Sequence, residues 1–251
     1  MPYRYALDRP DYSDLASGKV LLAVPGHPAF PVRLASEIFQ RCMAIREENG
    51  VTGQISLYDP CCGAAYHLAV LGFLHRELIR AITASDIDPE IIPLAGKNLG
   101  LLSAAGLDRR RDELEAMRRE FGKPSHVEAL AAAGRLRKIL GERSASDPIA
   151  IRVFPADALG KFDPARFPPD SPVDIVFTDV PYGRHSQWQV PSAEQLNPLW
   201  QLLENLRGLL NPASVVAVVS DKRQKVAHDR YDRIERFPIG KRMAVLWKPK
   251  P

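Results

Sequence analysis

The sequence predicts an α/β fold, namely a doubly wound, Rossmann-like sheet of seven strands with a helical insertion and an antiparallel C-terminal hairpin. Short apolar segments alternate with helical patterns along most of the chain, and this alternation favours a parallel sheet covered by helices. The last two strand patterns are separated only by Pro238-Ile239-Gly240, a turn typical of an antiparallel pair. Acidic residues follow four of the strands, where open α/β sheets bind ligands.

The length and composition indicate a single domain. The chain has 251 residues, of which 45% are hydrophobic and 25% are charged, and these values are ordinary for a globular protein. We expect one domain over residues 1–251, with an N-terminal extension over 1–31 and a helical insertion over about 103–146.

Several classes of protein are disfavoured. No segment is apolar over the length of a membrane span, and the first ten residues lack the apolar core of a signal peptide, so we expect a cytoplasmic protein with no membrane partner. The three cysteines are odd in number and include an adjacent pair, which argues against a disulfide framework. The six histidines are scattered without ligand spacing, so no metal site is expected.

The first half of the chain gives two strands and three helices. Helical spacing over Val32–Glu48 precedes a strand over Gln54–Tyr58. A helix over Ala65–Glu77 and a strand over Ala81–Ala84 follow. Asp88-Pro89 is typical of a helix start, with a capping carboxylate and proline at the first helical position, and this helix is expected to run to about Leu102.

The second half supplies five strands. The strand patterns cover Ile149–Phe154, Val173–Thr178, Ser214–Val219, Tyr231–Phe237 and Lys241–Trp247, with a helix over Pro198–Leu210. The terminal hairpin distinguishes the methyltransferase version of the doubly wound sheet from its nicotinamide-binding relative.

A helical insertion interrupts the alternation. Asp86 and Asp157, which follow consecutive strands, are 71 residues apart, whereas a strand–helix–strand unit takes about 30 residues. The excess lies in Leu107–Arg143, two charged helices broken at Gly122-Lys123-Pro124. Two interpretations stay open, a substrate-recognition arm and a hairpin that only packs on the body.

The candidate cofactor residues lie at the carboxyl ends of the first three strands. The first strand is followed by Asp59-Pro60-Cys61-Cys62-Gly63, where glycine allows a close approach of backbone to ligand. If the ligand is S-adenosylmethionine, Asp59 is a direct or water-bridged partner for the cationic amino group of its methionine part. This pattern alone also fits an ordinary tight turn. The chain has neither G-x-G-x-x-G nor a P-loop motif, so dinucleotide and nucleoside-triphosphate sites are poorly supported.

Two further carboxylates fit the remainder of an S-adenosylmethionine site. Asp86 ends the second strand, where a carboxylate accepts hydrogen bonds from both ribose hydroxyls. Asp88 is the competing candidate, although its place before Pro89 gives it a capping role. Asp157 follows the third strand and is expected to accept the adenine amino group, the alternative being a helix cap.

The fourth strand leads into the candidate target-base site, Asp179-Val180-Pro181-Tyr182-Gly183. This stretch resembles the [D/N/S]-P-P-[Y/F] signature of amino-group methyltransferases that act on nucleic-acid bases. In that signature the first residue and a proline carbonyl accept hydrogen bonds from the target nitrogen, and the aromatic ring stacks on the unstacked base. Val180 replaces one proline, which weakens the prediction of an exocyclic target. No cysteine follows Pro181, which disfavours covalent attack on cytosine.

The charge distribution suggests an anionic partner. The formal net charge is +4, but residues 221–251 contain ten Lys/Arg and four Asp/Glu, a local excess of +6, and the remaining 220 residues sum to −2. A basic terminal segment on a near-neutral body is typical of contact with nucleic acid. A solvated basic surface explains the charge alone equally well.

A closer resemblance comes from longer segments that cover most of the chain. The chain resembles the AviRa family of avilamycin-resistance ribosomal RNA methyltransferases in the stretches 25–41, 59–63, 84–89, 95–99, 121–125 and 179–183. The Pro25-Gly26-His27-Pro28-Ala29-Phe30-Pro31 segment and Phe121-Gly122-Lys123-Pro124-Ser125 are much more specific than the general methyltransferase motifs.

The resemblance implies an S-adenosylmethionine-dependent enzyme that methylates N1 of one guanine in 23S ribosomal RNA or its large-subunit precursor, with resistance to orthosomycins such as avilamycin. It places the cofactor at Asp59, Cys61, Gly63 and Asp86, and the target base at Asp179, Pro181 and Tyr182. We expect contacts with RNA phosphates from Arg33, Lys222, Arg223, Lys241 and Arg242.

Two other functions stay open at this point. A methyltransferase of the same fold could act on an exocyclic nitrogen, guanine N2 or adenine N6, of RNA or DNA. A non-catalytic RNA-binding module with a decayed cofactor site is a third hypothesis, and the intact set of Asp59, Gly63, Asp86 and Asp179 argues against it.

Overall fold

The computed structural model describes residues 3–16, 18–24, 29–143, 148–167, 172–180, 197–222, 224, 227–240 and 242–250. Seven strands form one sheet: β1 Ile55–Asp59, β2 Ile79–Asp86, β3 Ala150–Pro155, β4 Val173–Asp179, β5 Leu210–Asp221, β6 Tyr231–Ile239 and β7 Arg242–Pro249. The helices are α1 Val32–Glu48, α2 Tyr66–Leu74, α3 Ile92–Gly100, α4 Ala104–Phe121, α5 Pro124–Arg143 and α6 Pro198–Leu206.

The strand order β3-β2-β1-β4-β5-β7-β6 confirms the predicted doubly wound sheet. The strands β1 to β5 run parallel to one another, whereas β7 lies antiparallel to both β5 and β6. The order reverses direction between β1 and β4, so their carboxyl ends border the crevice in which such folds bind ligands.

Two apolar layers cover the sheet. Alternate side chains of each strand point to opposite faces. Ile175 and Phe177 of β4 pack with α1, α2 and α3 on one face, and Val176 of the same strand packs with α6 on the other. The sheet is therefore the middle of three layers.

The insertion is a helical hairpin packed on the body. Gly122, with φ +61°, ends α4, and α5 begins at Pro124, as the break in the sequence predicts. Leu107 and Leu114 of α4 and Leu136 and Leu140 of α5 lie in the main core. This burial supports the packing interpretation, and a role as a recognition arm stays a prediction.

Close contact between α3 and α4 requires a glycine. A Cβ added at Gly106 would lie 1.8 Å from the carbonyl oxygen of Gly100. Ser103 caps α4 by accepting a hydrogen bond from the N–H of Gly106 at 3.1 Å. The hairpin therefore starts directly against the end of α3.

The N-terminal extension is irregular over its described residues, except for a 3-10 turn at Ser13–Leu15. The carboxylate of Glu37, buried in α1, accepts hydrogen bonds from the backbone N–H groups of Arg4, Tyr5 and Ala6. From α4, Arg110 donates to the carbonyl oxygens of Lys19 and Val20. These contacts fix the extension across α1 and the hairpin.

Some predicted element boundaries are wrong. The helix predicted from Asp88 begins only at Ile92, because the Asp88 carboxylate accepts a hydrogen bond from the N–H of Glu90 and closes a turn instead. Pro93 falls in the first helical turn, where proline is tolerated, so it does not disturb the helix. The helix α2 ends at Leu74 rather than Glu77, and β5 begins at Leu210, which was assigned to the preceding helix.

None of the helices in the described part of the chain is long and apolar enough to cross a membrane.

Candidate active site

Three of the four predicted carboxylates lie at the carboxyl ends of adjacent strands. Asp59 ends β1, Asp86 ends β2 and Asp179 ends β4. The strand β1 pairs with both β2 and β4 in parallel, so these ends meet at one edge of the sheet.

The loop after β1 is held on the end of β2. The N–H of Cys62 donates to the carbonyl oxygen of Ser85 at 2.9 Å, and the N–H of Gly63 donates to Oδ2 of Asp86 at 2.8 Å. Gly63 has φ +50°, a conformation that L side chains rarely adopt, and a Cβ there would meet no atom within 4 Å. The loop therefore presents its backbone to open space.

Asp86 is better placed for a ligand than Asp88. Its carboxylate accepts hydrogen bonds from the N–H groups of Gly63 and Asp88, and burial raises the pKa of this carboxyl. Asp88 is exposed, and its side chain serves the turn before α3. Asp86 thus joins the loop of β1 to the end of β2.

The Asp59 side chain lies inside the protein, beneath the loop that follows β1. Its side chain is fully buried, Oδ1 accepts a hydrogen bond from the N–H of Cys61 at 3.0 Å, and Oδ2 lies 3.3 Å from Nε2 of His67. Burial raises the pKa of this carboxyl to about 7. A direct or water-bridged contact of Asp59 with the cofactor stays a prediction, and the hydrogen bond from Cys61 shows the carboxylate holding the loop from inside the protein.

Cys61 and Cys62 lie in the same loop. Cys61 is half-buried and Cys62 is buried. Burial raises the pKa of both thiols well above their usual range, and the nearby Asp59 adds to the shift. Both side chains are therefore neutral thiols that line the loop.

Asp157 occupies an exposed turn after β3. Its Oδ1 accepts a hydrogen bond from the N–H of Leu159 at 2.8 Å. The turn continues into no helix, so the alternative of a helix cap is wrong, and an interaction of Asp157 with adenine stays a prediction.

Asp179 meets Arg242 at the end of β4. Nη1 of Arg242 lies 3.5 Å from Oδ2 of Asp179, and the two side chains are about one-fifth exposed. The guanidinium also lies 5.2 Å from the centre of the Phe30 ring. Pro181 and Tyr182 fall outside the described residues. The structure places the Arg242 side chain beside the candidate active site, and its contact with RNA phosphates stays a prediction.

Sequence reasoning missed three residues next to this pair. The rings of Phe30, His67 and Phe177 form a cluster with centroid distances of 4.9 to 5.6 Å. Burial lowers the pKa of His67. His67 had no signal in the sequence, whereas Phe30 belongs to the specific N-terminal segment.

Asn98 connects the loop to the N-terminal extension. Its Oδ1 accepts a hydrogen bond from the N–H of Leu22 at 2.7 Å, and its Nδ2 donates to the carbonyl oxygens of Leu22 and Ala64. The side chain is fully buried. In the sequence, Asn98 is marked only by its place in the stretch 95–99, which resembles the AviRa family.

The other predicted RNA contacts divide into three cases. The guanidinium of Arg33 donates to the carbonyl oxygens of Ala6 and Leu7 and lies over the ring of Tyr3, so the structure gives Arg33 a packing role. Lys222 is exposed. Arg223 and Lys241 lie outside the described residues. Within the described ranges, no group of three or more His, Cys, Asp or Glu residues could hold a metal ion.

Comparison with known proteins decides the family. The family model described as rRNA methyltransferase AviRa matches residues 1–242. The chain belongs to the AviRa family. It is 46% identical over 249 residues to a protein of Streptomyces viridochromogenes named 23S rRNA (guanine(2535)-N(1))-methyltransferase, and the match covers 97% of this chain and 94% of the other.

Solved structures of AviRa from Streptomyces viridochromogenes agree with the fold. One is 43% identical, with a TM-score of 0.82, and the match covers 98% of this chain and 96% of the other. A second is 42% identical, with a TM-score of 0.83, over 99% and 96% of the two chains. The likeness to the AviRa structures therefore extends over nearly all of this chain.

Proposed function

We propose that this AviRa-family protein transfers the methyl group of S-adenosylmethionine to N1 of a guanine in 23S ribosomal RNA. The observation that carries the proposal is the meeting of Asp86, the Gly63 loop and Asp179 at one sheet edge, in a chain closely similar to a guanine-N1 methyltransferase.

The described residues fit the cofactor. Space is open above Gly63, and the half-buried carboxylate of Asp86 borders it. Asp86 would accept hydrogen bonds from the ribose hydroxyls, Cys61 and Gly63 would line the loop, and Asp157 would accept the adenine amino group. Asp59 would act as a positioning residue that fixes the loop through Cys61.

The target base would lie against the Asp179 loop. When bound, S-adenosylmethionine supplies a methyl group on a positively charged sulfur, already activated for transfer. Asp179 would orient N1 and accept its proton, and most of the remaining acceleration comes from holding the reacting atoms in line. Pro181 and Tyr182 keep the roles that their motif predicts, a carbonyl acceptor and a ring that stacks on the base.

The test is methylation of total RNA from cells that lack the activity, with labelled S-adenosylmethionine and nucleoside analysis by mass spectrometry. We expect 1-methylguanosine in the 23S fraction. N2-methylguanosine or N6-methyladenosine would favour the exocyclic alternative, which rests on the likeness of Asp179–Gly183 to the amino-group signature. No labelled nucleoside, together with no cofactor binding by calorimetry, would favour a non-catalytic RNA-binding module.

The family resemblance also predicts orthosomycin resistance. Expression of the protein in a susceptible strain should raise the inhibitory concentration of avilamycin but leave that of unrelated ribosome inhibitors unchanged. An unchanged avilamycin concentration, despite 1-methylguanosine in the 23S RNA, would separate the methylation from resistance.

A further inference from the structure

The ion pair between Asp179 and Arg242 crosses the carboxyl end of β5. Asp179 ends β4 and Arg242 begins β7, and both strands pair with β5. Two strand spacings separate their backbones by about 10 Å, yet Nη1 and Oδ2 approach to 3.5 Å. The arginine side chain therefore extends over β5 toward the end of β4.

Both side chains belong to the same face of the sheet. Phe177, two residues before Asp179, and Ala244, two residues after Arg242, lie in the same apolar cluster, and side chains two apart in a strand share a face. Phe30 lies under the guanidinium on this face. The arginine is thus held by a carboxylate and by an aromatic ring.

The Asp179 carboxylate accepts hydrogen bonds, and the Arg242 guanidinium beside it donates them. This pair is complementary to the edge of guanine that carries N1 and O6. The N1–H of guanine is a donor, and the neighbouring O6 is an acceptor. We infer that Arg242 helps to select guanine, with the Asp179 carboxylate facing N1–H and the Arg242 guanidinium facing O6. This inference rests on the proposed function.

The same pair disfavours amino bases. Adenine and cytosine present an unprotonated ring nitrogen beside an amino group, so the carboxylate would face an acceptor and the guanidinium would face a donor. Uracil presents N–H beside a carbonyl, as guanine does. The pair therefore selects bases with a ring N–H next to a carbonyl. Other bases are rejected because they would leave polar groups of the pair without hydrogen-bond partners.

The reaction gives the guanidinium a second effect. The N1–H bond breaks, and its proton goes to the Asp179 carboxylate. The electron pair left on the base is shared between N1 and O6. This pair then forms the new N1–methyl bond as the carbon–sulfur bond breaks, and the electrons of the broken bond stay on sulfur. A cation at O6 stabilises the charge that develops on the base.

The experiment compares single-turnover methylation of 23S RNA by the wild type, Arg242→Gln and Arg207→Gln, at saturating cofactor and RNA. Arg207 pairs with Glu204 at 3.1 Å and lies just before β5, at the opposite edge of the sheet. Loss of one donor to a developing oxyanion typically slows a reaction by about 100-fold or more. We expect that loss for Arg242→Gln and a wild-type rate for Arg207→Gln.

The pH profile separates this role from a purely structural one. Alkaline pH ionises the base without help from arginine, so the deficit of Arg242→Gln should shrink as the pH rises from 7.5 to 9.5. Near the pair, burial lowers the pKa of His67, and Asp59 titrates at about 7, both below this range. Among the described residues, Asp221 also borders the pair, because its backbone pairs with Arg242. Cys61 and Cys62 titrate above the range, because their thiol pKa values are raised.

Each outcome decides the inference. A wild-type rate for Arg242→Gln, or a deficit that stays constant with pH, would overturn it while leaving the proposed function intact. If the wild type forms no 1-methylguanosine, the proposed function fails and the inference fails with it. If Arg242→Gln does not bind the cofactor, we would use Arg242→Lys in its place. A rate about tenfold below wild type with unchanged cofactor affinity would then support the inference, and a wild-type rate would contradict the inference.

Discussion

Asp59 and His67 face each other beneath the loop that joins β1 to α2. Nε2 of His67 lies 3.3 Å from Oδ2 of Asp59 and 3.3 Å from the carbonyl oxygen of Phe177. Burial raises the pKa of Asp59 to about 7 and lowers that of His67. Both shifts favour the neutral forms of the two side chains in the floor of the site.

The raised pKa of Asp59 makes stability depend on pH. Between about pH 4 and pH 7 the folded protein retains a proton that the unfolded chain releases, so the free energy of unfolding falls as the pH rises through this range. Asp59→Asn removes this contribution. Denaturant unfolding of both proteins at pH 5 and pH 8 should show the variant gaining stability relative to the wild type at the higher pH. An equal difference at both values would contradict the assignment.

The sequence predicted the carboxylates of the site but not all of their roles. Strand ends in an α/β sheet meet at one edge, so Asp59, Asp86 and Asp179 were found from the strand pattern alone. The burial of Asp59 and the reach of Arg242 over β5 depend on the packing of distant segments. Local patterns carry no signal for either, and Arg242 was therefore assigned to RNA phosphates.

The helix α3 links the cofactor loop to the N-terminal extension. Asn98 makes three hydrogen bonds from a fully buried position, two to Leu22 and one to Ala64. Arg110 of α4 fixes the same extension two and three residues earlier, at Val20 and Lys19. The loop is thus supported by α3, the extension and the helical hairpin together.

Removal of the Asn98 side chain should loosen this support. Asn98→Ala leaves three partly buried backbone groups without their Asn98 partner, so we expect a loss of about 3 kcal/mol in the free energy of unfolding and weaker binding of S-adenosylmethionine. Denaturant unfolding and calorimetry measure the two effects. The control is Asn205→Ala, because Asn205 makes one hydrogen bond to the backbone, at the carbonyl oxygen of Ala158, and accepts one from the Gln201 side chain. Equal losses for both variants would argue against a special role for Asn98.

Element boundaries were predictable where periodicity was strong. The helix α1 has the predicted bounds, Val32–Glu48, because its apolar residues recur at regular helical steps. The start of α3 was misplaced, because an aspartate before proline caps either a helix or a turn, and here it closes a turn. The choice between those two depends on packing rather than on the local residues.

The whole molecule concentrates its basic charge in the C-terminal segment. Residues 221–251 carry a local excess of +6. Lys222, Arg233 and Arg236 are exposed, and within the described ranges none of them has an ion-pair partner. Arg233 and Arg236 lie on the edge strand β6. We therefore add Arg233 and Arg236 to Lys222 as proposed contacts with RNA phosphates.

The salt dependence of RNA binding tests this surface. Replacement of Lys222, Arg233 and Arg236 by glutamine should reduce the slope of log K against log salt by about one for each phosphate that the variant no longer binds. Filter binding or fluorescence anisotropy with a 23S fragment over a salt series gives the slope. The same measurement on Arg207→Gln is the charge control. An unchanged slope in the triple variant would show that this surface does not contact the RNA.

The overall fold was predictable because several independent sequence patterns agreed. Alternating strands and helices, the terminal hairpin and the 71-residue gap between Asp86 and Asp157 together specified a seven-stranded sheet with an inserted helical hairpin. The mode of packing of that hairpin was not predictable, since its charged composition fits an arm as well as a packed pair. Its buried leucines show that the hairpin packs on the body, and a role as a recognition arm stays a prediction.

Single-turnover methylation by Asp179→Ala tests most directly whether methyl transfer takes place at the end of β4. At saturating cofactor, we expect a rate at least about 100-fold below wild type, with the affinity for S-adenosylmethionine little changed. Asp232→Ala, which removes an exposed carboxylate from β6, should keep the wild-type rate. Undiminished turnover by Asp179→Ala would contradict the assignment of the active site.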